Sequence, residues 1–189
     1  MVVFDAMGVL YSTGDDESDL LIPYLRQLGC GLSDARIREL YRETSLGKLS
    51  SAGFWRACSV NGDDMDYCSR HSLQTGIEDV LSELFQRGVP LGCLSNDVSE
   101  WSRILRRRFG LDRWIQTWSI SGDLGLRKPD PAIFLALSDL SGVPSTQMIF
   151  FDDLPRNVEA ALNLGIDAIL FTDISACRHA LQARNLLPS

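Results

Sequence analysis

The chain has 189 residues, a formal net charge of −7, and 45% hydrophobic against 23% charged residues. This is ordinary globular composition. An acidic surface repels polyanions, so nucleic acid is not an expected partner, and no apolar run reaches the ~20 residues of a membrane span. A phosphorylated small molecule can bind such a chain only through a local positive site. Cys30, Cys58, Cys68, Cys93 and Cys177 are odd in number and stand at no metal-ligand spacing. They read as separate thiols in a reducing cytoplasm, not as a disulfide framework or a zinc site. No basic stretch followed by a long apolar one opens the chain, so no signal peptide is expected.

Val2-Val3-Phe4, ending in Asp5, reads as a buried strand. From about Asp15 to His71 the pattern is helical. Leu20, Leu21, Tyr24, Leu25 and Leu28 recur at helical spacing, with Gly29 as a stop. Ser33 caps a second helix carrying Ile37, Leu40 and Tyr41, and Ser50 precedes a third with Phe54, Trp55 and Cys58. Asp63 or Asp64 opens a fourth with Met65 and Cys68. No strand interrupts them.

From Gly76 strands and helices alternate. Ile77 to Leu84 is a helix stopped by Gly88, and Val89 to Leu94 is a strand. Helix Val98 to Phe109 follows, then strand Ile115 to Ile120, then a helix from Pro131 to Leu140. Met148 to Phe151 is a strand, Pro155 to Leu164 a helix ending at Gly165, and Ala168 to Phe171 the last strand. Such alternation implies a parallel sheet covered on both faces. The expected architecture is α/β: a Rossmann-like parallel sheet core, residues 1–11 and 75–189, with a small α-helical cap inserted at 12–74.

Ligands bind open parallel sheets at the carboxyl ends of strands. Here the first strand ends in Asp5, the second in Ser95-Asn96-Asp97 and the fourth in Asp152-Asp153. Lys128-Pro129 lies in the connection after the third. Three carboxylates at one rim repel one another unless a cation sits among them. All-oxygen ligands favour Mg²⁺, which takes one or two carboxylates plus substrate phosphate. Lys128 supplies the local positive charge, and Ser95 and Asn96 supply donors for phosphate oxygens. The set reads as a phosphoryl clamp with a carboxylate nucleophile.

In this order the motifs resemble those of the haloacid dehalogenase superfamily over nearly the whole chain. Asp5 matches the nucleophile of the first motif, Ser95 the phosphate-binding hydroxyl of the second, Lys128 the lysine of the third and Asp152-Asp153 the acidic fourth. Ser95-Asn96, Leu124 to Pro129 and Phe150 to Asp153 are particularly like sugar-phosphate phosphatases and the phosphatase domain of epoxide hydrolases. The resemblance implies a Mg²⁺-dependent phosphatase acting on a small phosphorylated metabolite through an aspartyl-phosphate. The metal would sit among Asp5, the Met7 backbone carbonyl, Asp152 and Asp153. A cytoplasmic monomer or weak homodimer is expected.

Met7 departs from the pattern. The family's second aspartate, which protonates the leaving oxygen and later activates water, belongs at this position. Two alternatives follow: a binding or regulatory protein that has lost turnover, and a dehalogenase, against which Asp152-Asp153 argues. The cap's one lysine, Lys48, reads as part of a solvated turn. Arg103, Arg106, Arg107 and Arg108 read as a solvated helix face. Phe54 and Trp55 read as packing inside the cap, and Arg156 and Asn157 as helix-start capping. His71 and His179 are given no role.

Overall fold

The structure, a computed structural model, describes residues 1–188. Strand β1, Val2–Phe4, is followed by a π-helical turn, Glu17–Leu21, that runs into α1, Ile22–Gln27. Three more helices complete the insert: α2 Asp34–Thr44, α3 Ser51–Ala57 and α4 Asp64–Ser69. Ser33 caps α2 as expected, and Ser50 caps α3 in the same way, each accepting a backbone N–H three residues on. Asp63, not Asp64, caps α4 by accepting the Asp66 N–H at 2.8 Å.

The remaining elements are α5 Ile77–Gln86, β2 Leu91–Ser95, α6 Ser99–Arg108, β3 Thr117–Ile120, α7 Ser121–Leu124 and α8 Pro131–Ser141. They are followed by β4 Ile149–Asp152, α9 Pro155–Leu162, β5 Asp167–Leu170 and α10 Ile174–Ala183. The five strands form one parallel sheet of order β3-β2-β1-β4-β5. Among the described residues, no helix is long and apolar enough to cross a membrane.

The start of the third strand is corrected, and two helices are added to the expected elements. The third strand starts at Thr117, not Ile115, because Leu111–Arg113 forms a 3₁₀ turn whose carbonyl at Leu111 accepts the Ile115 N–H. The single turn α7 follows β3 directly. Helix α10 lies beyond the last expected strand; Asp173 caps it, and Cys177 and Leu181 are buried from one face.

The insert leaves and re-enters the sheet region at one place. Tyr11 bridges Leu73, the Ser12 N–H donates to the Ser72 carbonyl and the Gln74 N–H to that of Leu10. Its helices do not fold around their own core alone. Phe54, Trp55 and Tyr67 of the insert cluster on Trp101 of α6, with ring centroids 4.6–5.6 Å from it. Phe54 and Trp55 therefore pack across the junction and not only inside the insert.

Asp64 fastens this junction. Its Oδ1 accepts the indole N–H of both Trp55 and Trp101 at 2.7 Å, and its Oδ2 accepts the Ser51 hydroxyl at 2.6 Å. Asp64→Ala would leave three donors unmatched, two of them on tryptophans that are 5% and 1% exposed. Hydrogen bonds to charged groups contribute about 1.5–3 kcal/mol each, and their losses are not additive. We expect Asp64→Ala to cost about 2–4 kcal/mol of unfolding free energy by urea titration; a loss under about 0.5 kcal/mol would show that the clasp is not a stability element.

Candidate active site

β1 is the central strand, and both its neighbours, β2 and β4, run parallel to it, so all three end at one rim. The chain moves outward from β1 to β2 and β3, then returns to the other side for β4 and β5. The crevice at such a reversal is where open parallel sheets bind ligands. Asp5 continues β1 by donating its N–H to the Phe151 carbonyl at 2.8 Å. Ser95 and Asp152 are the last residues of β2 and β4.

These residues meet at Lys128. Its Nζ lies 2.7 Å from Asp5 Oδ1 and 2.7 Å from Asp152 Oδ2. Asp5, Lys128 and Asp152 are all buried. Asp152 also accepts the Leu154 N–H at 2.9 Å and, on both oxygens, the side-chain amide of Asn157 at 2.9 and 3.1 Å. Asp153 is half-buried and forms no ion pair among the described residues. One oxygen from each of Asp5, Asp152 and Asp153 lies within 4.8 Å of the others. Three carboxylates against one ammonium leave a formal surplus of two negative charges, which one divalent cation would neutralise.

The electrostatics agree. Burial pushes the Asp5 carboxyl well above the usual carboxylate range; Lys128 opposes this and the Asp152 charge adds to it. Burial and Asp152 likewise raise Asp153. Ionising all three costs energy until positive charge arrives. The Met7 carbonyl, just beyond β1, accepts none of the loop backbone hydrogen bonds among the described residues. The donor set is thus all oxygen and suits a hard divalent cation.

A cavity of about 430 Å³ opens onto this cluster. Asp5, Met7, Ser95, Asn96, Lys128 and Asp153 all line it. Ser95 Oγ is buried and has no hydrogen-bond partner, a donor left for a ligand. Asn96 departs from expectation. Its Oδ1 accepts the Lys128 N–H at 2.8 Å and its Nδ2 donates to the Lys128 carbonyl at 3.0 Å. This side chain grips the backbone that carries Lys128, so at most one of its N–H groups remains for a ligand. Asn157 also departs: it holds Asp152 and does not cap α9, where no side-chain cap forms. Lys48 is exposed in the turn before α3 and does not line the cavity, as expected.

Sequence reasoning missed three sets of residues. From the insert, Asp15, Asp16, Glu17 and Tyr41 line the cavity beside the rim residues. Arg127 lines it too, as does Arg156. Glycine at positions 8 and 14 was also overlooked: a Cβ there would lie 2.3 and 2.7 Å from Asp153 Oδ2. These two positions leave the space that the carboxylate occupies.

A central strand that ends in an aspartate, at the reversal point of an open sheet, puts a carboxylate where α/β proteins of this kind bind their ligands. Residues 1–165 match the haloacid dehalogenase-like hydrolases, and the chain belongs to that family. It is 26% identical over 185 residues to a phosphoglycolate phosphatase of Pseudomonas syringae pv. tomato, covering 89% of this chain and 68% of that protein. It is 28% identical over 136 residues to flavin mononucleotide hydrolase 1 of Arabidopsis thaliana, covering 68% and 55%. Among solved structures, the magnesium complex of a haloacid dehalogenase family enzyme from Bacteroides thetaiotaomicron superposes with a TM-score of 0.80 at 19% identity, over 96% of this chain and 97% of that one. The same enzyme with magnesium and inorganic phosphate gives 0.74 at 18% identity, over 92% and 94%.

Gly8 provides a test of the packing around Asp153. It has φ of +74° as well as the 2.3 Å approach, so a side chain is both strained and displaced. Left-handed backbone at a non-glycine residue costs of order 1–3 kcal/mol. Gly8→Ala should lower the melting temperature and weaken divalent-cation binding in calorimetry. Unchanged cation affinity would show that Asp153 has room to move.

Proposed function

We propose that the chain is a Mg²⁺-dependent phosphomonoesterase with Asp5 as its nucleophile and the helices of 12–74 as a cap over the substrate. The observation that carries this is the buried Asp5–Lys128–Asp152 array, with Asp153 and the unpartnered Ser95 hydroxyl on the same cavity. The phosphoglycolate phosphatase relatives support it, and so does the neighbouring structure that holds magnesium and phosphate.

Each residue has a distinct task in this reading. Asp5 Oδ1 is held by Lys128 and by the Ala6 N–H at 2.6 Å. Oδ2 is the oxygen that attacks phosphorus, forming an acyl phosphate as the ester oxygen leaves. Lys128 and Ser95 share the charge on the non-bridging oxygens. Asp153, Asp5 and the Met7 carbonyl would hold the cation. Asp152, whose oxygens already accept Lys128, Leu154 and Asn157, positions Lys128. Asn96 clamps the Lys128 backbone. The cation, when bound, draws negative charge from the phosphoryl group and keeps Asp5 ionised. Water then cleaves the acyl phosphate.

Proton transfer has no group at Met7. Glu17 is the candidate: it lines the same cavity from the insert, and burial and the neighbouring Asp16 charge raise its carboxyl to about 7, against the opposing charge of Arg127. In the neutral form it donates to the leaving oxygen, and as carboxylate it then accepts from water.

Asp5→Asn should abolish turnover by about a thousandfold or more while leaving the circular dichroism spectrum unchanged. Exhaustive chelation should abolish it too, and Mg²⁺ should restore it. Halide release from a haloacid in the presence of EDTA would instead establish the dehalogenase reading.

For Glu17 the sign is set by its acid role. The protonated form protonates the leaving group, so kcat on alkyl phosphates should fall as pH rises through about 7. General acid help is worth about 10²–10⁴ in rate. Glu17→Gln should slow enzyme phosphorylation by alkyl esters by about that factor, spare this step for aryl phosphates with stable leaving anions, and remove the limb near pH 7. A parent profile with equal rates for alkyl and aryl esters that Glu17→Gln leaves unaltered would assign the proton to another group.

A further inference from the structure

A second cavity, of about 590 Å³, adjoins the first: Glu17, Asn96, Arg127, Lys128 and Arg156 line both. Arg38 and Arg42 line the second alone. Those two stand one turn apart on α2, so they share a face of that helix. Arg127 comes from the loop before α8, and Arg156 from the first turn of α9. Three separate parts of the fold thus bring four guanidinium groups to one mouth.

Eight arginines form no ion pair among the described residues, and the four that gather at one cavity are among them. Of the 16 arginines, Arg26, Arg36, Arg70, Arg103, Arg106, Arg113, Arg178 and Arg184 form ion pairs with carboxylates. None of the four at the mouth does, among the described residues. Arg38 donates to the Ser18 hydroxyl at 2.7 Å, and Arg127 donates to the Ser45 hydroxyl and lies 5.8 Å from the centre of the Tyr41 ring. Two carboxylates share the cavity, Glu17 and Asp130. On a chain of net charge −7, a local surplus of unpaired guanidinium beside a phosphoryl site is a specific arrangement. Guanidinium favours planar or tetrahedral oxyanions, to which it donates two parallel hydrogen bonds.

We propose that this mouth is a subsite for a second anionic group of the substrate, so that the enzyme prefers phosphomonoesters carrying a further carboxylate or phosphate. The inference rests on the phosphatase reading, with Lys128 and Ser95 holding the phosphoryl group that is cleaved. Arg38, Arg42, Arg127 and Arg156 hold the other end. The insert contributes half of this grip, so a doubly anionic substrate is held from both α2 and the core.

The test uses matched esters differing in the second group, at two spacer lengths. Ethyl phosphate is compared with 2-phosphoglycolate, and glucose 6-phosphate with 6-phosphogluconate and glucose 1,6-bisphosphate. Binding is read by calorimetry on Asp5→Asn in the presence of Mg²⁺, and kcat/KM on the parent enzyme. A subsite of this kind should favour the doubly anionic member of at least one set by about tenfold or more. Whether carboxylate or phosphate gains more identifies the second group. In Arg38→Gln/Arg42→Gln the preference should fall by about tenfold or more, whereas Arg107→Gln, which removes an unpaired charge on α6 away from both cavities, should keep it. Equal binding of singly and doubly anionic esters at both lengths overturns the subsite, even if every ester is hydrolysed. Absence of hydrolysis combined with preferential, arginine-dependent binding would overturn the phosphatase reading and leave the subsite standing.

Discussion

A lysine held between two aspartates, both at 2.7 Å and all three side chains buried, is the arrangement on which the rest of this molecule turns. A buried charge is tolerated only with close partners, because the loss of hydration is worth several kcal/mol per ion. The partners here come from three places far apart in sequence: the end of β1, the end of β4 and the loop before α8. Only a parallel sheet with β1 beside β4 brings the two carboxylates to one rim. Only a fixed loop delivers the ammonium between them, and Asn96 at the end of β2 fixes it with two hydrogen bonds to the Lys128 backbone. Asn157, one turn into α9, supplies donors to both oxygens of Asp152. Four elements are thereby tied to one nitrogen atom. The array still carries surplus negative charge, which is why an acidic rim and a divalent cation belong together in a single design.

The insert is joined to this rim by packing rather than by a flexible tether alone. Trp101 belongs to α6, yet its ring is enclosed by Phe54, Trp55 and Tyr67 of the insert. Asp64 accepts indole N–H groups from both sides of that boundary. Ser121, at the start of α7, donates to the Ser45 carbonyl at 2.5 Å and so adds a polar tie on the other flank of α2. Aromatic burial of this extent works against a wide separation of insert and core, since each exposed ring would cost about 1.5–3 kcal/mol. Access to the cavity therefore falls to its mouth, where side chains are long and solvated: Arg38, Arg42 and Arg156 are all exposed.

Much of this was legible in the sequence because the relevant signals are local. Alternating apolar runs announce the strands, and the residues that follow each run are the rim residues. The helix cap at Ser33 was equally plain. The misreadings share one cause, which is that a side chain's use depends on what lies opposite it. Asn96 carries phosphate-binding chemistry, but the loop across the rim claims nearly all of it. Asn157 stands where a capping residue would, but a buried carboxylate five residues earlier takes its amide. Phe54 and Trp55 have helical spacing and so announce burial without saying against what. Helix α10 had its signals, an Asp173 cap and the Cys177–Leu181 face, in a stretch that lies past the last strand. No local pattern ties Glu17, Arg38 or Arg42 to Lys128, because only the folded chain brings together positions separated by 86 residues or more.

The one departure from the family pattern, Met7, bears on the charges at the mouth. A methionine at position 7 removes a carboxylate from a rim that already carries three. The resulting site is less negative by one charge, and that favours an anionic substrate over a neutral one. What it loses is a proton shuttle beside the phosphorus. Glu17 reaches the same cavity from a different element and lines both cavities, where burial and Asp16 raise its carboxyl and Arg127 opposes them. A dianionic ligand entering that space adds negative charge beside Glu17 and favours its neutral form, the form that donates a proton. In this reading, substrate charge, arginine placement and proton transfer form one coupled system. On the proposed mechanism the strand ends supply the nucleophile, while the insert supplies both the acid and much of the selectivity.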